Sequence, residues 1–424
     1  MDITAKNGLT SAFDNKTQIH ELRKFVAPEI IFGEDARLLI CRYLQHFTAR
    51  KPMIVTDSNL LELPWFTEIL DHIISCCDDH YIFSEITSNP RDYETMLGAE
   101  LFITQGCDVI IAIGGGSPMD CAKGIGIVAS NGGNILDYEG VDSIRLPGPP
   151  LICLPTTSGT SADVSQFAII CDTISQAKKA IISKKVVPDL ALIDPVPLMT
   201  MDQYLTACTG MDALTHAIEA YVSNAQSAMT DVHALEAIKL IAGHLRAAVN
   251  PDRTLADMSQ MMMASLHAGL AFSNASLGAV HALAHSLGGL LDLPHGECNS
   301  ILLEHIIDMN YDYAADRYDK IAEILSAGNS DLTTAQETAA TTSTTTDTPT
   351  DTPTAKDYLL TLIRQLRQDV GIKPYVKIDD ISDKLLNQLA ENALTDPCMV
   401  TNPRELSTDE IISVFKKIFK TDKQ

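Results

Sequence analysis

The chain is poor in positive charge and in long apolar runs, and its cysteines show no regular spacing. Its 424 residues contain 31 Lys and Arg against 55 Asp and Glu, a formal net charge of −24 at pH 7. Such an acidic chain is not expected to bind nucleic acid or an anionic membrane. No apolar run reaches membrane-spanning length, and the polar beginning of the chain does not resemble a signal peptide. The ten scattered cysteines favour reduced thiols in a cytoplasmic protein over a disulfide framework.

The chain does have the length and apolar content for two cores. Its 424 residues exceed the usual single-domain range, and 46% of them are hydrophobic. We expect a first domain over residues 23–196 and a second over 197–424, preceded by a flexible N-terminal tail, 1–22.

The first half alternates short apolar runs with helical stretches. Such alternation predicts an α/β domain with a parallel sheet, whose ligands bind beyond the carboxyl ends of the strands. Four runs are typical of buried strands that end at Gly, Ser, Thr or Asp: 52–58, 108–117, 151–160 and 190–195.

From about residue 197, helical periodicity dominates and strand signals vanish, which predicts an all-helical second domain. One segment of this half, 329–355, is rich in Thr, Asp, Ala and Pro and has almost no large apolar side chain. Because it cannot offset the entropy of ordering, we expect a disordered surface loop there. The helical stretches are 205–222, 228–248, 254–272, 276–291, 300–327, 356–370 and 406–420.

Five side chains that can bind metals lie in two short segments of the second half. Asp212 and His216 are four residues apart in TGMDALTHAIEAY, so on a helix they project from one face. His281 and His285 repeat that spacing, and His295 follows in a PHG turn. A single histidine on an apolar helix is usually a core residue, but five such side chains so close together indicate a site. Mixed imidazole and carboxylate ligands suit catalytic Fe²⁺ or Zn²⁺ better than calcium or magnesium.

A glycine-rich loop in the first half indicates a phosphate-binding helix start. In DVIIAIGGGSPMDCAK, a predicted strand runs into residues 114–117, and a helix is expected to begin near Pro118. Glycines allow close backbone approach, and the N–H groups of a helix start attract phosphate. A triple glycine alone could equally be only a tight turn.

Two further features of the first half indicate that the ligand of the glycine-rich loop is a dinucleotide. The loop PTTSGTS follows the next predicted strand and adds the hydroxyls of Thr156, Thr157 and Thr160. Asp57 ends another predicted strand, where a carboxylate can bond ribose hydroxyls and repel a 2′-phosphate. A dinucleotide is therefore the best single ligand.

Five motifs follow one another along the chain: GGGSPMDCAK, PTTSGTSADVS, TGMDALTHAIEAY, GAVHALAHSLGG with its later PHG, and DPCMVTNPRELS. Together they resemble the iron-containing alcohol dehydrogenases, from about residue 23 to the C-terminus apart from the Thr-rich segment. The resemblance implies an N-terminal dinucleotide-binding α/β domain and an all-α C-terminal metal-binding domain, as in dehydroquinate synthase. Metal and nicotinamide would meet in the cleft between them.

The resemblance implies a role for each matching residue. It makes Asp212, His216, His281 and His295 the four metal ligands, and it places His285 beside the metal as a substrate-contacting or proton-relaying residue. The chain departs from the family at 161–163, which reads Ser-Ala-Asp where relatives often have Gly-Ser-Glu. The implied NAD contacts are Asp57, Gly115, Gly116, Ser117, Asp120, Thr156, Thr157, Thr160 and Lys178.

The implied activity is hydride transfer between NAD and a small primary alcohol or aldehyde, with Fe²⁺ as the metal and Zn²⁺ as its alternative. We expect a homo-oligomer of two or more subunits. Zinc-dependent polyol dehydrogenases and a related sugar-phosphate cyclase share this architecture, but the segment 276–300 has no Lys or Arg to hold a phosphorylated substrate. A dehydrogenase-like regulator or sensor of alcohol metabolism also stays open, because RKFVAPEIIFG, MLGAEL and TSADVSQFAII resemble that subgroup.

Overall fold

A computed structural model describes residues 24–328 and 354–421, and it has a six-stranded parallel sheet in the first half. The four strands predicted from the sequence lie side by side at its centre, and each is buried throughout. Each predicted run is longer than its strand, because the Gly, Ser, Thr or Asp residues at its end form the following loop. The edge strands were missed because they are short and only partly buried. In spatial order the strands are β1 (Glu29–Phe32), β9 (Leu190–Ile193), β6 (Leu151–Pro155), β4 (Val109–Gly114), β2 (Pro52–Val55) and β3 (Tyr81–Phe83).

Helices cover both faces of this sheet. They are α1 (Ile40–His46), α2 (Pro64–Cys76), α3 (Asp92–Thr104) and α4 (Gly116–Asn131). Because side chains alternate across a strand, Ile111 packs among residues of α1 and α2, and Ile110 among residues of α3 and α4. Helix α4 begins at Gly116, and Pro118 lies in its first turn, in agreement with the expected start near this residue.

A second, three-stranded sheet in the first half was not predicted. It has the order β5 (Gly140–Val141), β8 (Ala177–Ile182), β7 (Phe167–Asp172), with β7 and β8 antiparallel. β5 has only two residues and β8 contains two adjacent lysines, so neither has the continuous apolar run of a buried parallel strand. β7 does have such a run, Phe167–Cys171, and it was missed. The sheet matters because β8 carries Lys178.

The second half is mostly helical, with two corrections. The predicted stretch 300–327 is two helices separated by a 3-10 turn, Tyr311–Tyr313, and a helix at 383–395 was missed. A short parallel pair, β10 (Val376–Lys377) and β11 (Phe419–Lys420), shows that this half is not all-helical. The helices are α5 (Gln203–Val222), α6 (Ala228–Val249), α7 (Leu255–Ala275), α8 (Ala279–Leu291), α9 (His295–Asn310), α10 (Ala315–Ala327), α11 (Ala355–Asp369), α12 (Asp383–Thr395) and α13 (Thr408–Ile418).

Helix α5 lies at the centre of this half. Every residue from Thr206 to Val222 is buried, and the helix packs against α6, α7 and α9. At Gly210 the neighbouring helix comes so close that an added Cβ would overlap Leu245 Cδ1. Polar side chains on such a helix require partners within the protein.

Two sequence predictions fall largely outside the described residues: the N-terminal tail 1–22 and the loop 329–355. Thr354 and Ala355 are described, and they correct the end of that loop because they begin α11, with Thr354 as its N-cap. All ten cysteines are free, in agreement with the expected absence of a disulfide framework. None of the described helices is long and apolar enough to cross a membrane.

Two isoleucines of the first half should contribute very differently to the free energy of unfolding. Ile111 is completely buried on β4, whereas Ile103 on α3 is 59% exposed. Ile111→Ala should lower the free energy of unfolding by about 2–5 kcal/mol through lost burial and a residual cavity, and Ile103→Ala by less than about 0.5 kcal/mol. Urea denaturation measures both changes. Equal losses would contradict the placement of β4 in the core.

Candidate active site

Asp212, His216, His281 and His295 come together where α5, α8 and the start of α9 meet. One ligand-capable atom of each lies within 4.8 Å of those of the others. Asp212 Oδ1 is 3.8 Å from His281 Nε2 and 3.7 Å from His295 Nε2. Ligand atoms around one tetrahedral metal, with bonds of about 2.1 Å, are about 3.4 Å apart. The group therefore has nearly the spacing that a single metal ion requires.

The three imidazoles of this group are in a form that can bind a metal. The His216 ring is stacked between Phe272 and His281, with centroid separations of 4.3 and 4.5 Å. Burial lowers the pKa of His216, and it lowers the pKa values of His281 and His295 well below the ordinary imidazole value. Neutral imidazole is the form that coordinates metal ions.

Glu219 fixes the orientation of His281. Its carboxylate accepts the Nδ1–H of His281 at 2.6 Å and the backbone N–H groups of Val280 and Gly278 at 2.7 and 3.0 Å. Burial raises the pKa of Glu219 to about 7, although these N–H groups act in the opposite direction. The bond from Nδ1 leaves His281 Nε2 as the nitrogen that faces Asp212. A carboxylate behind a histidine in this way is the usual support of a metal ligand.

The contacts of the Asn299 side-chain amide show whether the four-residue group fits a metal ion. Its amide Nδ2 lies 2.6 Å from Asp212 Oδ1, 3.1 Å from His281 Nε2 and 3.2 Å from His295 Nε2. Among the described residues, the buried Asn299 Oδ1 and His295 Nδ1 have no hydrogen-bond partner. Two amide hydrogens cannot satisfy three converging acceptors. A cation can, so these donor atoms fit a divalent metal ion.

His285 lies beside the four-residue group and has its own carboxylate partner. Its Nδ1 lies 2.8 Å from Asp396 Oδ2, and Asp396 Oδ1 accepts the backbone N–H of Cys398 at 2.8 Å. Burial by itself would raise the pKa of Asp396, but His285 and the Cys398 N–H hold it below its usual value. An ionised Asp396 requires a proton on His285 Nδ1, so Nε2 is the nitrogen that can exchange a proton with a ligand.

These histidines open onto a cleft between the two halves of the chain. Alongside His216, His281, His285 and His295, the cleft is lined by five of the residues predicted to contact the cofactor: Gly116, Ser117, Asp120, Thr160 and Lys178.

The two nucleotide loops pack directly on each other at the start of α4. An added Cβ on Gly116 would lie 3.0 Å from Thr160 Cγ2, and one on Gly115 would lie 3.2 Å from Thr157 Cγ2. No side chain among the described residues caps α4, so the N–H groups of Gly116 and Ser117 are available to an anion.

The remaining predicted cofactor residues lie outside the lining of this cleft. Asp57 follows β2, the strand beside β4, and it accepts the Asn59 N–H at 2.8 Å. Thr156 continues the ladder between β6 and β4 through its N–H to Gly114 O at 3.0 Å. Together with Gly115 and Thr157, these residues lie at the carboxyl edge of the same sheet.

Lys178 and Asp120 are the charged members of the predicted cofactor set in the cleft. Lys178 is the single Lys or Arg that lines it among the described residues. An added Cβ on Gly288 of α8 would lie 3.1 Å from Lys178 Nζ, so β8 and α8 are in close contact. Burial raises the pKa of Asp120 to about 6, and this carboxylate also accepts the Ile169 N–H at 3.2 Å.

The loop that departs from the family pattern, 161–163, is closely packed. Ser161 has a φ of 50°, in the left-handed region that glycine adopts without strain. Its hydroxyl donates to Ser265 O at 2.6 Å, which anchors the serine in that conformation.

Three residues of the site were missed by the sequence analysis: Glu219, Asn299 and Asp396. Glu219 is seven residues after Asp212 and Asn299 is four after His295, so helical spacing would have placed each on a ligand-bearing face. Asp396 opens the quoted motif DPCMVTNPRELS, but nothing local in the sequence connects it with His285, 111 residues away.

Comparison with known proteins matches nearly the whole chain to one family. Models described as "Iron-containing alcohol dehydrogenase" and "Fe-containing alcohol dehydrogenase family, C-terminal" match residues 27–195 and 206–419. The 1,3-propanediol dehydrogenase of Citrobacter freundii is 34% identical over 398 residues, 93% of this chain and 98% of that protein. The NAD-dependent methanol dehydrogenase of Bacillus methanolicus is 33% identical over 392 residues, 92% and 98% of the two chains. A crystal structure of 1,3-propanediol oxidoreductase has a TM-score of 0.83 at 33% identity and covers 94% of this chain and 100% of its own.

The contacts of Glu219 predict a large stability effect in metal-free protein. Glu219→Ala removes the acceptor for three backbone N–H groups and the His281 ring, so the free energy of unfolding should fall by about 3 kcal/mol. Glu219→Gln keeps one carbonyl oxygen and should lose less. Glu236→Ala, at an exposed ion pair on α6, is the control and should change stability by less than about 0.5 kcal/mol. Similar melting curves for all three variants would contradict the role assigned to Glu219.

Proposed function

Because this chain belongs to the iron-containing alcohol dehydrogenase family, a family of oxidoreductases, we propose that it exchanges a hydride between NAD and a small primary alcohol or aldehyde. One observation carries the proposal: three histidines of the four-residue metal-competent group, the carboxylate-bound His285 and an uncapped helix start all border one cleft. Such a combination of groups is what metal-assisted hydride transfer requires.

In this proposal, Asp212, His216, His281 and His295 hold one divalent ion, Fe²⁺ or its alternative Zn²⁺. Glu219 keeps His281 in the orientation that presents Nε2, and Asn299 holds the Asp212 carboxylate. When bound, the metal would polarise the substrate oxygen, and NAD would exchange a hydride with the carbon that bears it.

We propose that His285 accepts and donates the proton that the substrate oxygen loses or gains. Asp396 accepts the Nδ1–H and fixes the ring, so Nε2 can accept a proton from an alcohol or return it to the product of aldehyde reduction. Because the side chain is buried at the cleft wall, this exchange takes place away from bulk solvent.

We propose that NAD lies along the carboxyl edge of the main sheet. Its pyrophosphate would accept the N–H groups of Gly116 and Ser117 at the start of α4, with Lys178 supplying positive charge nearby. Asp57 would bond the ribose hydroxyls, two strands from β6. The remaining proposed contacts in the two loops are Gly115, Asp120, Thr156, Thr157 and Thr160.

The cleft wall favours a small uncharged substrate. Phe167, Phe272 and Leu277 line it together with the histidines. Lys178, the single Lys or Arg lining the cleft in the described part of the chain, is assigned to the cofactor. A substrate with a carboxylate or phosphate would therefore lack a partner for its charge.

The proposed activity is tested with a pair of histidine variants. Anaerobically purified protein should bind about one metal ion per chain and reduce short aldehydes with NADH. His281→Ala should lose metal and turnover together, because it removes a ligand, whereas His285→Ala should keep its metal and reduce kcat by about 10²–10⁴-fold. Metal analysis and NADH oxidation rates distinguish the two. Wild-type protein that binds metal and NADH but reduces no aldehyde in a broad panel would contradict the proposal, and loss of metal from His285→Ala would contradict the ligand set.

Cofactor choice gives a separate prediction at Asp57. A 2′-phosphate near this carboxylate meets like charge, so kcat/KM should be higher with NADH than with NADPH. Asp57→Gly should lower the ratio of kcat/KM with NADH to kcat/KM with NADPH. Asp79→Gly, at another exposed carboxylate of the first half, should leave this ratio unchanged. Equal kcat/KM values with the two cofactors in the wild-type protein would count against the assignment.

A further inference from the structure

A second group of metal-competent side chains lies next to the first. It consists of His285, Asp396 and Cys398, and one ligand-capable atom of each lies within 4.8 Å of the others. All three residues are buried, with 6%, 8% and 1% of their surfaces exposed. The His285 ring centroid is 5.3 Å from that of His295 and 6.0 Å from that of His281, so the two groups are adjacent but share no residue.

Two separate elements hold this second group in place. His285 is on α8, whereas Asp396 and Cys398 begin the 3-10 helix Pro397–Thr401. Asp396 caps that helix by accepting the Cys398 N–H. The hydroxyl of Ser286 donates to Leu389 O at 2.8 Å and joins α8 to α12, the helix that leads into Asp396. The three side chains therefore converge without any rearrangement of the backbone.

The donor atoms of the second group differ from those of the first. The first group offers three imidazoles and a carboxylate, whereas the second offers one imidazole, one carboxylate and one sulfur. Thiolate is a soft ligand that selects Zn²⁺ over Fe²⁺, and Cys, His and Asp are all common zinc ligands. With three protein ligands, the fourth position of a tetrahedral ion is left to water.

We propose that His285, Asp396 and Cys398 form a second, zinc-selective metal site beside the four-residue group. Zinc would replace the proton between His285 Nδ1 and Asp396 Oδ2, which would separate from their present 2.8 Å, and it would bind the Cys398 sulfur as a third ligand. Two neighbouring cations require anionic groups that balance their charge. Here Asp212 and Glu219 lie on one side, and Asp396 with the ionised Cys398 on the other.

Binding at this site releases one proton to solvent and exchanges the proton on His285 Nδ1 for one on Nε2. On binding, the Cys398 thiol releases its proton to solvent and its sulfur forms a bond to zinc. The His285 proton leaves Nδ1, which becomes the ligand nitrogen, and Nε2 takes up a proton in its place. The next step rests on the proposed function. Zinc at this site should inhibit turnover, because a protonated Nε2 cannot accept a proton from an alcohol.

The site is tested by cobalt titration, since Co²⁺ replaces Zn²⁺ and its bond to a thiolate gives a charge-transfer band in the near ultraviolet. The first group contains no sulfur, so the band reports only on thiolate sites. Wild-type protein should bind the first equivalent of Co²⁺ without the band and a second equivalent with it. Cys171→Ser is the matched control, because this thiol lines the same cleft outside the second group, and it should keep the band.

Cys398→Ser should lose the band and retain the first equivalent, which also shows that this variant is folded. Zinc added to protein already loaded at the first site should inhibit aldehyde reduction, and Cys398→Ser should require at least about tenfold more zinc for the same fractional inhibition. Absence of the band in wild-type protein, or an undiminished band in Cys398→Ser, would overturn the site. An inactive protein that shows the band supports the second site and contradicts the proposed function.

Discussion

The arrangement of the site depends on the cost of burying ionisable side chains on α5. Asp212, His216 and Glu219 all lie within a run of fully buried residues. An isolated charge in such surroundings would be too costly, so each side chain must be neutral, hydrogen-bonded or bound to a cation. Glu219 is hydrogen-bonded to the start of α8, His216 is stacked between two rings, and Asp212 faces the imidazoles of two other elements.

This constraint also explains why α8 begins where it does. The first N–H groups of a helix have no partner within the helix, and here Glu219 and Asn402 accept those of Gly278, Ala279 and Val280. The same carboxylate orients His281, so the start of the helix and the orientation of a proposed ligand are fixed by one side chain. Asn402 belongs to the motif DPCMVTNPRELS, which also supplies Asp396 to His285. That motif thus positions α8 at two points.

Much of this architecture could be predicted from the sequence. The four central strands are continuous apolar runs because they are buried on both faces, and the i, i+4 pairs on α5 and α8 locate the metal-competent group. Features with a weak local signal were missed. The edge strand β3 has three residues, the pair β10 and β11 has two residues each, and the partner of His285 is distant in the sequence. Separating the four proposed ligands from His285 needed the family resemblance, because spacing treats all five side chains alike.

In the proposed site, one divalent ion binds at Asp212, His216, His281 and His295. The decisive experiment is X-ray absorption spectroscopy at the iron edge, on protein loaded anaerobically with one equivalent of Fe²⁺. We predict a shell of nitrogen and oxygen ligands only, at about 2.0–2.2 Å, with the outer scattering typical of imidazole. A sulfur contribution at about 2.3 Å would place the iron at Cys398 or another thiol. A shell without imidazole scattering would contradict the histidine ligands altogether.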